Sequence, residues 1–95
     1  MSTDPHFDLD APWMLHEQVS VRPERFGALL YHFGTRRLSF LKSPDLLSVV
    51  NGLAAAASAR EACTGAGVPA EQHEQYRAAL ATLAASHMIR PRSAA

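Results

Sequence analysis

The stretch Gly27-Ala28-Leu29-Leu30-Tyr31-His32-Phe33-Gly34-Thr35-Arg36-Arg37-Leu38-Ser39-Phe40-Leu41-Lys42 decides the fold. Two apolar, aromatic-rich runs flank Gly34-Thr35. Glycine at the first central position suits a two-residue type II′ turn, because that residue takes φ > 0. The stretch therefore predicts a β-hairpin. Pairing across the two-residue loop sets Phe33 opposite Arg36, Tyr31 opposite Leu38 and Leu29 opposite Phe40. Side chains alternate along a strand, so Leu29, Tyr31, Leu38 and Phe40 share one face, expected to be the core side. Ala28, Leu30, His32, Arg37, Ser39 and Leu41 lie on the other.

The same register predicts which main-chain groups are left over. Residues beside a two-residue loop form a hydrogen-bonded pair, and such pairs alternate along the ladder. Arg36, Leu38 and Phe40 should then bond inward to the first arm. Arg37, Ser39 and Leu41 should point their N–H and C=O groups outward as an open edge, a template for another strand.

Upstream, residues 1–12 are polar and acidic, with Phe7 and Leu9 as their large apolar groups, and are expected to form a flexible arm. From Trp13, the residues Trp13, Leu15, Val19 and Val21 alternate with Met14, His16, Gln18, Ser20 and Arg22, which predicts one half-buried strand, interrupted by Glu17. Pro23 is expected to end it, with Arg22-Pro23-Glu24-Arg25 as a turn. Three antiparallel strands in meander order would result, the second hairpin arm at one edge.

Downstream, Ser43-Pro44-Asp45 reads as a helix start: a capping side chain, a proline at the first position and an acid at the positive end. Leu46, Val49, Val50 and Leu53 give this helix one apolar stripe. Ser58-Ala59-Arg60-Glu61 has capping-box spacing and opens a short second helix, with Gly65 and Gly67 at its exit. A third helix is expected from about Ala70 to His87, with Tyr76, Leu80, Leu83 and His87 on its stripe, supported by Ala79 and Ala84, followed by a tail over residues 90–95. Strands first and helices after make an α+β domain, a three-stranded antiparallel sheet followed by three helices over residues 13–89. The third helix, lying beside the hairpin edge, would turn that edge into a groove.

The 95 residues are one domain's worth, 47% hydrophobic and 19% charged. Nine basic residues balance nine acidic ones, whereas a dedicated nucleic-acid binder shows a basic excess. Cys63 is the one cysteine, so no intrachain disulfide forms, and with no signal peptide or membrane-length apolar run the expected location is cytoplasmic, away from any membrane. His6, His16, His32, His73 and His87 form no i, i+4 ligand pair, and no catalytic constellation or phosphate loop is legible, so neither an enzyme nor a cofactor or metal site is expected. Cys63 reads as a buried, inert thiol. Arg36, Arg37 and Lys42 form the one basic cluster in structured territory, suited to steering an acidic partner along the edge.

The run Tyr31-His32-Phe33-Gly34-Thr35-Arg36-Arg37-Leu38-Ser39-Phe40-Leu41-Lys42, with Pro12-Trp13 before it and Ser86-His87-Met88-Ile89 closing an alanine-rich helical tail, resembles the mycofactocin biosynthesis chaperone family. More broadly the chain is similar to PqqD-type precursor-recognition domains over roughly Trp13 to Ile89. The resemblance implies a winged-helix-like arrangement that binds the acidic leader of a ribosomally made precursor peptide. The leader adds to the third strand against the third helix, and a radical S-adenosylmethionine maturase is the partner that receives it. On this sequence that implies a peptide site at Arg36, Arg37, Leu38, Ser39, Phe40, Leu41 and Lys42, with Leu38 and Phe40 as apolar floor. Tyr76, Leu80 and Leu83 are the candidate walls. The alternative is a winged-helix nucleic-acid-binding domain, which would need a basic recognition helix. Between Glu71 and His87 the sequence offers Arg77 alone.

Overall fold

The computed structural model describes residues 7–92. In chain order it forms β1 (Trp13–Leu15), β2 (Val19–Glu24), β3 (Gly27–His32), β4 (Arg37–Leu41), α1 (Pro44–Gly52), α2 (Ala59–Gly65), α3 (His73–Ala85) and β5 (Ile89–Pro91), with single 3₁₀ turns at Leu53–Ala55 and Ala70–Gln72. The antiparallel sheet β2-β3-β4 and the three helices give the α+β architecture expected, with the strands in meander order. The expected first strand is split, however. Trp13–Leu15 leaves the sheet and pairs with Ile89–Pro91, so part of the expected tail is a strand.

The helix signals act as the sequence indicates. The Ser43 hydroxyl accepts from the Leu46 N–H and caps α1, with Pro44 and Asp45 in the first turn. Ser58 accepts from the Glu61 N–H and caps α2. The third helix is shorter than expected: a 3₁₀ turn precedes it, and it ends before His87, which takes φ 63° and is exposed rather than part of the stripe. Val49, Val50, Leu53, Leu80 and Ile89 fill the core with Ala28, Leu30 and Leu41.

Those last three residues show that the hairpin faces are the reverse of the expectation. Ala28, Leu30 and Leu41 are fully buried, whereas Leu38 and Phe40 are 56% and 59% exposed. Aromatic count misleads here, because β2 sets the polarity. Val21 lies opposite Leu30 and Val19 opposite His32, all on the helix side, while Ser20 and Arg22 lie opposite Tyr31 and Leu29. The small Ala28 and Gly27 also let α1 start close by. A Cβ on Gly27, whose φ is 150°, would run into the Leu41 carbonyl and the Ser43 backbone.

The hairpin turn differs as well. The register is the expected one, Tyr31 opposite Leu38 and Leu29 opposite Phe40. The loop has four residues, not two, and the left-handed residue is Arg36 at φ 64°, not Gly34. His32 is the reason. Its buried ring Nδ1 accepts from the Gly34 and Thr35 N–H groups at 3.0 and 3.1 Å, and the Arg36 N–H donates to the His32 carbonyl. A Cβ at Gly34 would fall 2.5 Å from the Gln18 Oε1 and 2.9 Å from the His32 ring, so the ring that anchors the loop would have to shift.

The acidic segment before β1 is docked from Phe7 onward. Phe7 stacks on Trp13 with ring centroids 4.3 Å apart, Leu9 is buried, and the Ala59 and Arg60 N–H groups donate to the Ala11 and Leu9 carbonyls. At the other end Arg92 donates to the carbonyls of Leu53, Ala54 and Ala56. The rest of the expected arm, residues 1–6, and of the tail, residues 93–95, lies outside the described residues.

Candidate peptide-binding edge and groove

Which main-chain groups of β4 face outward follows from one hydrogen bond. The Phe33 N–H donates to the Gln18 carbonyl at 2.8 Å, toward β2. The N–H and C=O of one strand residue point the same way and alternate along the strand, so Tyr31 and Leu29 also bond toward β2. His32, Leu30 and Ala28 are left to bond toward β4, where they face Arg37, Ser39 and Leu41. The outward groups of β4 are therefore those of Leu38 and Phe40. This reverses the expectation for Arg37, Ser39 and Leu41. The four-residue loop moves the hydrogen-bonded pairs by one position and leaves the residue register untouched.

Among the described residues β4 pairs with β3 alone, and Leu38 and Phe40 make no main-chain bond outside the sheet. The opposite edge is different. The same alternation leaves Val19, Val21 and Pro23 outward on β2. The Val19 N–H already donates to the His16 carbonyl at 3.0 Å, and Pro23 has no N–H to offer. An edge position with its N–H side to solvent is where a strand tolerates proline, which is why Pro23 does not end β2 as expected. One edge of the sheet is blunted and the other is open.

The open edge borders a groove of about 580 Å³. Leu38, Ser39, Phe40, Leu41 and Lys42 form one bank, and Gln75, Tyr76, Ala79, Thr82 and Leu83 of α3 form the other. Of the residues singled out from sequence, seven meet here: Leu38, Ser39, Phe40, Leu41, Lys42, Tyr76 and Leu83. Three do not. Leu80 is fully buried and is core rather than wall. Arg36 and Arg37 are exposed at the hairpin end, outside the lining. Leu38 and Phe40 border the groove, but their side chains stand on the outer sheet face and do not form its floor. Gln75 and Thr82 were missed, and Ala79, expected on the helix stripe, was not assigned to the groove. Their spacing with Tyr76 and Leu83 is a single helical stripe, so the signal was present.

The charge around the site is uneven. Residues 19–42 hold five basic side chains (Arg22, Arg25, Arg36, Arg37 and Lys42) and one acidic, Glu24, in a chain whose total is zero. Arg22 pairs with Glu24 at 2.9 Å, and among the described residues Arg25, Arg36, Arg37 and Lys42 form no ion pair. On α3 the Arg77 guanidinium binds both Glu74 oxygens and holds that carboxyl below its usual range. Cys63 is fully buried away from the groove, and burial pushes its thiol up. The arrangement can hold an extended, acidic, partly apolar chain.

Comparison with known proteins gives the chain its family. A family model described as "Peptide chaperone MftB family" matches residues 12–90. The chain is 57% identical over 88 residues to a "Peptide chaperone MftB" of Mycobacterium ulcerans (strain Agy99), covering 93% of this chain and 81% of the relative. It is 57% identical over 86 residues to the protein of that name from Mycobacterium tuberculosis (strain ATCC 25618 / H37Rv), covering 90% and 79%. The corresponding protein of Mycolicibacterium smegmatis (strain ATCC 700084 / mc(2)155) is 55% identical over 85 residues, covering 90% and 83%. No solved structure matches. With relatives at this identity over nine-tenths of its length, the chain belongs to the Peptide chaperone MftB family.

Proposed function

We propose that this protein is a non-catalytic peptide chaperone of mycofactocin biosynthesis. It captures the leader of a ribosomally made precursor as a fourth strand on β4 and presents it to a radical S-adenosylmethionine maturase. The observation that carries this is the contrast between the two sheet edges: β2 is blunted by Pro23 and the Val19–His16 bond, while Leu38 and Phe40 are open and lie beside a groove. Strand addition takes affinity from main-chain bonds and specificity from side-chain pockets.

Magnitudes assign the parts. Leu38 and Phe40 offer four main-chain groups, each worth about 0.5–1.5 kcal/mol net. The ladder alone then supplies roughly 2–6 kcal/mol, around the 4 kcal/mol of a millimolar complex before ordering costs. Tighter binding has to come from leader side chains against Tyr76, Ala79 and Leu83. Arg36, Arg37 and Lys42 add attraction for an acidic leader, at about 0.2–1 kcal/mol per exposed pair, mostly as orientation and on-rate.

Calorimetric titration with a synthetic leader peptide tests this. Ala79→Arg places a long side chain in the groove and should abolish binding while leaving the melting transition in place. Unchanged affinity in that variant contradicts the assignment.

A further inference from the structure

The outer face of the sheet changes character from one edge to the other. On β2 its side chains are Ser20 and Arg22, both exposed, opposite Tyr31 and Leu29. On β4, opposite the same two residues, they are Leu38 and Phe40, 56% and 59% exposed. Phe26 packs edge-on against Phe40 at 6.2 Å. The blunted edge is thus polar on this face and the open edge apolar. Leu38 and Phe40 are also the residues whose main-chain groups point away from β3. An exposed apolar pair is informative where it coincides with unpaired donors and acceptors, because one added strand would cover both.

We infer that the Leu38 and Phe40 side chains read the leader's outward residues, so that the captured segment is recognised on both faces and carries three consecutive apolar residues. The inference rests on the proposed strand capture. Side chains of an added strand alternate between the faces of the sheet. Two of them stand on the outer face as cross-strand neighbours of Leu38 and Phe40. The one between them turns inward to the groove, where Ser39 and Ala79 are small and Tyr76 and Leu83 are nearly buried. A strand read through the groove alone needs apolar residues at every second position. A strand read on both faces needs an unbroken run, the pattern of a strand buried on two sides. The polar row of Ser20 and Arg22 selects this occupant. A partner laid flat over the sheet would have to desolvate that row, whereas an added strand lies beyond β4 and meets only the apolar pair.

Calorimetry should titrate the unaltered chain, Leu38→Thr and Phe40→Thr with the synthetic leader peptide, and with copies of it bearing serine at each apolar position in turn. Threonine keeps the main-chain donor and suits a strand, and both sites are more than half exposed, so both variants should melt as the unaltered chain does. Either variant alone decides. A cross-strand pair is worth up to about fivefold in affinity, so each variant should bind the leader about three- to fivefold more weakly. On the unaltered chain, serine at three successive leader positions should weaken binding. On Phe40→Thr one of the outer two replacements should lose its effect, while the middle one keeps it. Equal leader binding by all three chains, or sensitivity at alternate positions only, overturns the outer-face reading and leaves groove capture standing. Leader binding absent from the unaltered chain overturns the capture itself, and the inference with it. A dimer seen by light scattering that Phe40→Thr dissolves, with leader affinity unchanged, assigns the pair to a second copy and equally overturns it.

Discussion

Proline at position 38 or 39 separates an edge that binds from an edge that is merely part of the sheet. Leu38 points its N–H away from β3, and its side chain is 56% exposed. Leu38→Pro therefore removes no ladder bond and little burial, and proline is acceptable at such an edge position. Stability should change by less than about 1 kcal/mol. A bound leader strand, however, would lose the donor for one of its carbonyls and meet the proline ring. An unpaired buried carbonyl costs about 1–3 kcal/mol, which is a five- to 150-fold loss of affinity. Ser39→Pro is the contrast. Ser39 bonds inward to Leu30, so the same substitution cuts the β3–β4 ladder, leaves the Leu30 carbonyl unpaired and should cost about 1–3 kcal/mol of stability, a large share of what a domain this size has. Urea melts and leader calorimetry on the two variants give four numbers. If Leu38→Pro binds the leader normally, or if Ser39→Pro is the variant that keeps its stability, the edge assignment is wrong.

Other substitutions examine the core and its ties. Leu30→Ala should destabilise by about 2–5 kcal/mol in a denaturant melt, whereas Leu38→Ala should stay within about 0.5 kcal/mol, because only the first opens a cavity. Arg92→Ala removes a cation from three carbonyls after α1, and a thermal melt should show a loss of about 1.5–3 kcal/mol. The carboxyls of Asp10, Glu17 and Glu74 are held below their usual range. Arg60 does this at Asp10, the Glu17 backbone and then Arg90 at Glu17, and Arg77 at Glu74. A depressed folded value favours the folded state above the unfolded value and loses that effect as pH falls through the folded one. The melting temperature should thus be flat above about pH 5 and decline below pH 4. Cys63, fully buried and with its thiol pushed up by desolvation, should resist alkylation at pH 8 in the native protein and react promptly in urea.

Much of the fold was legible because its signals are local. Ser43-Pro44-Asp45 and Ser58-Ala59-Arg60-Glu61 cap helices whatever surrounds them. The hairpin register was legible for the same reason. What failed depended on contacts between segments. The turn was read from Gly34 alone, but the His32 ring, packed beside His16 at 4.4 Å, organises the loop and shifts the hydrogen-bonding phase. The sheet's inner face was read from aromatic content within the hairpin. The decisive signal was the neighbouring strand, where Val19 and Val21 alternate with Ser20 and Arg22. Taking Pro23 as a terminator hid that pairing. Ile89–Pro91 gave no strand pattern, since its partner Trp13–Leu15 lies more than 70 residues away. The groove itself was legible in outline, because it needs only a free hairpin arm and the longest helix beside it. Its lining was legible in part, and Leu80 shows why: an apolar helix stripe does not say which of its residues reach solvent.

The most direct measurement is an amide NMR titration of the intact chain with the leader peptide. Strand capture on β4 predicts the largest shifts and new exchange protection at the Leu38 and Phe40 amides, with accompanying shifts at Tyr76, Ala79 and Leu83 across the groove. Shifts confined to Val21 and the β2 edge, or to α2, with Leu38 and Phe40 unmoved at saturation, would contradict it.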